Sequence, residues 1–272
     1  SGNKWRKLKF NIEKFKQGGY DKILTFGGAY SNHIAACAAI GKEQDISFIG
    51  IIRGDELNAN SNDTLRLAEQ KGMQLEFTSR EEYDLRGEKY YHEELRRRHG
   101  NFLVVQEGGA NFHGMLGCVE IVRELEQTYD HIFLAGGTGT TAAGLLYSGV
   151  ESTIHLVSAL KGGEFLSDNI VTLLLKAGLL QDECWSILNR LIIHRDYHFG
   201  GYAKFTEELI GFMNDFHAQT KIPLDQVYTA KAAYAMVDQI KNGGVNEGER
   251  VLFLHTGGLQ GTGTISSLLD FV

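Results

Sequence analysis

Three short stretches of this 272-residue chain bring together side chains and spacings suited to chemistry. Ala135–Gly144 reads AGGTGTTAAG: an apolar run enters, glycines strip away side chains, and a helix pattern starts near Thr141. Bare backbone N–H groups at such a helix start bind an anion, usually a phosphate. Gly136, Gly137 and Gly139 leave the approach open, and the hydroxyls of Thr138, Thr140 and Thr141 add donors. Gly27–His33 reads GGAYSNH, a second glycine turn into a helix. Ser31 would cap it, leaving N–H groups near Asn32 and His33 for an anion such as a carboxylate. The chain opens SGNKWRKLKF, with cations at Lys4, Arg6, Lys7 and Lys9. On a helix, Trp5, Leu8, Ile12 and Phe15 form a buried stripe, while Arg6, Lys9, Glu13 and Lys16 take the wet side. Asn3 is a good N-cap and places Lys4 in the first turn, leaning towards the apolar face. Burial lowers a lysine's pKa and suits it to be a nucleophile or Schiff-base partner. Lys4 is therefore the cation expected in an active site, and the other three are expected to be solvated.

Other chemistries fit less well. Thr140 stands where a phosphate-binding Walker loop needs lysine after Gly139. Gly137, Gly139 and Ala142 match G-x-G-x-x-A, but the following strand ends Val157–Ser158–Ala159–Leu160 without the acid a dinucleotide site wants. HRDYHFGGY, His194–Tyr202, puts two histidines four apart in a loop with no HExxH or CxxC beside them, so no metal site is expected. No Gly-x-Ser-x-Gly elbow is present for a serine hydrolase.

The positioning elements follow from hydrophobic pattern. Strands are predicted at Lys22–Phe26, Ile46–Ile52, Gln74–Thr78, Phe102–Val105, His131–Ala135, Thr153–Val157, Arg190–Ile193 and Val251–His255. Helices are predicted at Ser31–Ile40, Asn60–Lys71, Glu81–Arg98, Gly114–Gln127, Thr141–Ser148, Glu164–Ala177, Tyr202–Ala218, Thr229–Asn242 and Thr262–Leu269. Strands apolar on both faces, separated by crossover helices, indicate parallel sheets in an α/β protein. Five glycine turns fall at strand ends, where open α/β sheets bind ligands. Gly108–Gly109 is the expected crossing between two sub-domains.

With 43% hydrophobic and 22% charged residues, the composition suits a globular protein of one or two domains. A net charge of −7 gives no nucleic-acid footprint. No apolar run approaches the ~20 residues of a membrane span, and no signal peptide is expected from the opening residues. Cys37, Cys118 and Cys184 are few, odd in number and far apart, as in a reducing, cytoplasmic setting. There are 33 glycines and a single proline, Pro223. The chain begins abruptly at a helix entry, so residues upstream are expected to be missing.

Joined together, SGNKWRKL, GGAYSNH, EGGANFHGMLG, GGTGTT, LDQVYTAKA and LHTGG resemble, in order, the motifs of the 1-aminocyclopropane-1-carboxylate deaminase and D-cysteine desulfhydrase family. These are fold-type II pyridoxal 5'-phosphate enzymes, and the resemblance spans essentially the whole chain. It implies two open, mainly parallel sheet domains of the tryptophan synthase β type, with the cofactor in the cleft between them. The smaller domain would run over 8–114, inserted into a larger one made of 1–7 plus 115–272. It also implies roles. Lys4 would carry the cofactor as a Schiff base and shuttle protons. Asn32 would bond the cofactor's phenolic oxygen. Ser31 would hold the substrate carboxylate, and Gly136 to Thr141 the phosphate. Tyr228 would stack on the pyridine ring, Tyr202 would face the substrate, and Thr229 would lie beside the ring nitrogen. Thr256 lies in the HTGG turn that closes the pocket.

Two positions separate the chemistries. In the cyclopropane deaminases a glutamate follows the tyrosine matching Tyr228, and a leucine takes the place of Thr256. Threonine at both positions is the desulfhydrase-like pattern. The resemblance thus implies β-elimination from D-cysteine, with ring-opening deamination as the alternative and a homodimer as the assembly. Two departures bear on substrate: Tyr30 replaces a common glutamine before Ser31, and Gln106 replaces the proline of a PEGG motif. A non-catalytic ligand-binding protein on the same fold is disfavoured by the retained lysine and cup. A dinucleotide oxidoreductase is disfavoured by the missing acid.

Overall fold

The computed structural model describes residues 2–259 and 261–271. In chain order the elements are α1 (Lys4–Gln17), β1 (Lys22–Gly27), α2 (Asn32–Gln44), β2 (Phe48–Arg53), α3 (Asp63–Gln70), β3 (Gln74–Thr78), α4 (Arg80–Asp84), α5 (Lys89–His99), β4 (Phe102–Val105) and α6 (Phe112–Arg123). There follow β5 (His131–Gly136), α7 (Thr140–Tyr147), β6 (Thr153–Ser158), α8 (Phe165–Lys176), α9 (Gln181–Leu188), β7 (Leu191–His194), α10 (Glu207–Thr220), α11 (Thr229–Lys241) and β8 (Val251–Phe253). The chain divides into two compact units, Lys4–Gly114 and Ser1–Asn3 with Met115–Val272.

Each unit is built on one four-stranded parallel sheet, ordered β3-β2-β1-β4 in the first and β7-β6-β5-β8 in the second. The strands are parallel because each is joined to the next through helices, and they are apolar because helices cover them. In the first unit Leu24, Phe26, Ile49 and Ile51 pack against Tyr83, Tyr91, Leu95 and Phe102. Ile23, Ile34, Cys37, Ile52 and Val105 form a second cluster with Leu8 and Ile12 of α1. In the second unit α10 and α11 join Leu209, Met213, Leu224, Ala230, Ala233 and Ile265.

The two sheets share a consequence of their strand order. The chain leaves β1 and β5 towards one edge and returns on the other side as β4 and β8. A crevice opens where the order reverses, outside the carboxyl ends of the strands. The turns at these two switch points are Gly27–Ser31 with Gln106–Gly109, and Gly137–Gly139 with His255–Gly258. Four of the five glycine turns therefore flank a switch point.

A row of histidines crosses the second sheet. Glu249 accepts from His131 Nε2 (3.0 Å); with the His131 ring neutral, its Nδ1 accepts from His155 Nε2 (2.9 Å), and His155 Nδ1 from His194 Nε2 (2.9 Å). This directional chain holds His155 neutral, and burial pushes its pKa down to about 3. Phe133 stacks on the His155 ring at 4.0 Å. His198, four residues on, accepts instead from its own loop at Gly200 N.

Several sequence expectations are corrected. Trp5 is 42% exposed, whereas Lys7 (4%) and Asn11 (1%) are buried. The buried face of α1 is thus Lys7, Leu8, Asn11 and Ile12, rotated from the predicted stripe. Asn11 accounts for this: its amide donates to Lys7 O and exchanges hydrogen bonds with Asn111. The predicted helix Glu81–Arg98 breaks into α4, a 3-10 turn at Leu85–Gly87 and α5. The helix expected from Asn60 starts at Asp63, where Asn62 caps it. The helix expected from Tyr202 starts at Glu207, because Gly201 (φ 119°) and Ala203 (φ 55°) are left-handed and incompatible with a helix there. Thr262–Leu268 is 3-10 rather than α. Helix α9 escaped prediction.

Candidate active site

The cup is built from β5 and α7. Strand β5 is buried through Gly136, and an added Cβ there would stand 2.9 Å from Leu156. Gly139 takes φ 77°, a conformation that costs other residues about 1–2 kcal/mol, and a Cβ would also meet Ile170 at 2.9 Å. Gly139 caps α7 without any side-chain hydrogen bond, so no side chain spends the first N–H groups of that helix. Thr138 and Thr140 hydroxyls lie 2.9 Å apart. The ring of Tyr228 closes one side of the cup, 3.1 Å from where a Cβ of Gly137 would be. Tyr202 packs edge-on against that ring at 6.2 Å.

Tyr228 is the N-cap residue of α11 and makes no side-chain cap bond; the carboxylate of Asp225, three residues earlier, takes up the N–H groups of this turn. Its Oδ1 accepts from Val227 N and Tyr228 N, and its Oδ2 from Thr229 N and Thr229 Oγ1 (2.7 Å). Thr229 Oγ1 in turn accepts from Asp225 N (2.8 Å). Burial raises the Asp225 pKa, and these four donors oppose that rise. The Thr229 hydroxyl has therefore committed its proton to Asp225, leaving a lone pair to offer any ligand. His255 anchors the HTGG turn: Nδ1 accepts from Gly257 N, and Nε2 donates to the carbonyl of Pro223 (3.0 Å).

The opening residues belong to this same unit. Asn3 is 8% exposed, its Nδ2 donates to Thr141 Oγ1 (2.7 Å), and its N–H donates to Thr256 O (3.0 Å). Asn3 thus ties the cup to the HTGG turn. Gly2 is required beside it, since a Cβ would fall 2.0 Å from Thr256 O. This tie uses the amide nitrogen and the backbone N–H of Asn3, which immediately precedes α1. Lys4 is the next residue in the chain.

In the other unit Lys4 opens α1, half-buried. Its charge acts on α2: after burial, Lys4 and then Lys7 hold the His33 pKa well below the usual value. Burial also pushes the Cys37 thiol up, partly opposed by Lys4. His33 is structural. Thr25 donates to Val105 O and so accepts from His33 Nε2 (2.7 Å), which fixes α2 to β1 and β4. Ser31 caps α2, its Oγ accepting from Ile34 N. Asn32, the first residue of α2, has a buried Oδ1 with no hydrogen-bond partner.

A family model of pyridoxal-phosphate-dependent enzymes matches residues 1–257. The chain belongs to that family. It is 32% identical to a putative 1-aminocyclopropane-1-carboxylate deaminase of Pyrococcus horikoshii, over 96% of this chain and 81% of the relative. It is 30% identical to the bifunctional D-cysteine desulfhydrase/1-aminocyclopropane-1-carboxylate deaminase of Arabidopsis thaliana, over 96% and 69%. A solved structure of an ACC deaminase homologue superposes with TM-score 0.82 at 29% identity, covering 100% of this chain and 85% of that one. The resemblance read from the motifs is thereby shown, with its fold-type II architecture and its cofactor.

The residues present fit pyridoxal phosphate. The uncapped α7 and its glycine approach suit a phosphate dianion. The buried Asn32 Oδ1, which has no partner within the protein, is an acceptor suited to a ligand's N–H or O–H group. Bound, the cofactor withdraws electrons from the substrate's Cα, leaving the protein to bind, orient and move protons. Asn3, Asp225 and His255 were missed by sequence reasoning, because each acts through hydrogen bonds to residues distant in sequence or in the wrong register for a motif. Asp225 had a local signal, an acid ahead of a helix start, and Asn3 one only as a helix cap.

Proposed function

We propose that this enzyme is a D-cysteine desulfhydrase-like lyase, converting D-cysteine and water to pyruvate, ammonia and sulfide. The observation that carries the reading is Thr229: a neutral hydroxyl, its proton given to Asp225, follows Tyr228 where a ring-opening deaminase has glutamate. A carboxylate would hold a proton on the cofactor's ring nitrogen far more firmly than this oxygen can. The electron sink is weaker, yet sufficient for sulfide, a better leaving group than carbon. Thr256, at the turn tied to Asn3, is the second desulfhydrase-like position.

Within this reading Lys4 holds the cofactor covalently and moves the Cα proton. Gly136, Gly137, Thr138, Gly139, Thr140 and Thr141 bind the phosphate, and Asn32 the phenolic oxygen. Ser31 holds the substrate carboxylate, Tyr228 covers the ring face and Tyr202 meets the substrate. The unit centred on β5 to β8 thus acts as the larger, phosphate-binding domain, with 8–114 as the smaller one. Among the described residues no helix is long and apolar enough to cross a membrane. The three cysteines are free and buried, which supports a cytoplasmic, reducing location. A homodimer rests on the family resemblance.

Ring-opening deamination is the second reading, favoured by the names that the relatives carry. A panel of D- and L-amino acids with 1-aminocyclopropane-1-carboxylate, assayed for ammonia, keto acid and sulfide, decides between them. Fast sulfide and pyruvate release from D-cysteine with negligible ring opening is expected. Ring opening as fast as sulfide release overturns the reading.

A further inference from the structure

Two residues after Thr229, α11 carries a lysine that no step above uses. Lys231 is fully buried. Its ammonium donates to three backbone carbonyls: Gly201 O (2.7 Å), His198 O (2.8 Å) and Ala159 O (3.2 Å). Three protons meet three acceptors, which is the arrangement of a charged lysine. Burial lowers its pKa to about 8, and the nearby Asp225 carboxylate opposes that shift. A buried charge is retained at a cost unless it is fully hydrogen-bonded, and this one is.

Its acceptors show what it does. Ala159 follows β6, while His198 and Gly201 lie in the loop between β7 and α10. That loop is built from costly backbone: Phe199 (φ 48°), Gly200 (94°), Gly201 (119°) and Ala203 (55°) are all left-handed. Non-glycine residues hold such angles only where surrounding structure over-determines them. Tyr202 stands in the middle of this run, directly after the carbonyl Lys231 grips most closely, with its ring against Tyr228.

We propose that Lys231 is a positioning residue: its ammonium latches the 197–203 loop to α11 and so fixes where Tyr202 meets the substrate. The proposal rests on the substrate-facing role given to Tyr202 above. It predicts an effect on substrate affinity rather than on cofactor binding, since the three hydrogen bonds of this ammonium go to Ala159, His198 and Gly201 and not to the cup, Asn3 or Asn32.

The test uses the pyridoxal phosphate-loaded enzyme and its Lys231→Met variant, compared by amide hydrogen exchange and by steady-state kinetics with D-cysteine. Expected are faster exchange across 197–203 with the sheet amides unchanged, and a KM raised roughly tenfold to a hundredfold. The change in kcat should be smaller, with unaltered affinity for pyridoxal phosphate. Tyr202→Phe should then cost much less in the Lys231→Met background than in the unaltered enzyme. If Lys231→Met does not fold, Gly201→Ala attacks the latch from the loop side. An added Cβ there has room, 3.8 Å from Lys161 Cβ, so the lesion is conformational, and the same pattern is expected. Unchanged loop exchange overturns the latch. Faster exchange with unchanged KM, or additive Tyr202 and Lys231 effects, overturns the positioning role. Failure of the unaltered enzyme to consume D-cysteine counts against the function proposed above, and loop exchange still decides whether Lys231 holds the loop.

Discussion

Helices α2 and α7 both begin after the first strand of a parallel sheet, and both follow glycines, yet their first turns are finished differently. Ser31 caps α2 with its own hydroxyl, so that helix satisfies part of its amino terminus from within. Gly139 caps α7 with nothing, and the neighbouring threonine hydroxyls bond each other. A capped helix start presents side chains, here Asn32 with its unpartnered amide oxygen. An uncapped one presents backbone N–H groups and the positive end of the helix dipole, which suit a dianion. The contrast teaches that a glycine turn into a helix is not one signal. What stands at the cap position decides whether the helix binds through its backbone or through its side chains.

The strongest way to break this contrast is at the bare cap. Gly139→Ala would force a left-handed alanine and push a Cβ to 2.9 Å from Ile170. A cost of about 3 kcal/mol, roughly a hundredfold loss of pyridoxal phosphate affinity, is expected in a cofactor titration. Affinity unchanged by this substitution would mean that α7 does not hold the phosphate.

Acid should strike behind both helices. His33 lies in α2 and His155 in the sheet below α7's strand, and burial is the largest cause lowering both pKa values, His155 to about 3. Such a histidine takes a proton in the unfolded chain near 6.5 but not in the folded one. Stability is therefore complete above about 6.5 and falls as pH drops towards 3, by about 2 kcal/mol at pH 5 for His155 alone. Glu249, whose hydrogen bonds from Asn246 and His131 lower its pKa to about 2, adds loss of the same sign below its unfolded value of 4.5. Urea unfolding at pH 7.5 and pH 5 checks this; equal midpoints would contradict it.

The smaller effects separate the two helix starts. Asn3→Ala removes the tie to Thr141 and should cost about 1–2 kcal/mol, read as weaker pyridoxal phosphate binding. Ser31→Ala should cost about 1 kcal/mol of stability, read in urea unfolding, with the phosphate affinity left intact. The reverse pattern, cofactor affinity lost with Ser31 and kept without Asn3, would invert the assignment.

Much of this was legible in sequence, and the reasons are physical. All eight predicted strands are present: β1, β2, β4, β5 and β6 are apolar runs that are mostly buried, and the half-exposed edge strands β3, β7 and β8 still carry short apolar runs between helix patterns. Cup and Ser-Asn-His turn were visible as glycine followed by helix pattern. Helix α9 was missed because its residues are mostly exposed, Trp185 among them, so it carries no clear apolar stripe. Lys7 was misjudged because a charged side chain can be buried when its stem packs, here against Gly109. Lys231, Asn3 and His255 form long-range hydrogen bonds, which leave no periodicity to read.

The central claim is that the lysine following the Asn3 tie, and no other, bears the cofactor. Borohydride reduction of the pyridoxal phosphate-loaded enzyme, followed by peptide mapping, tests it directly. The account predicts the pyridoxyl group on Lys4, with loss of the visible absorbance. Labelling of Lys231, the buried lysine whose pKa is lowered to about 8, or of any lysine other than Lys4, would contradict it.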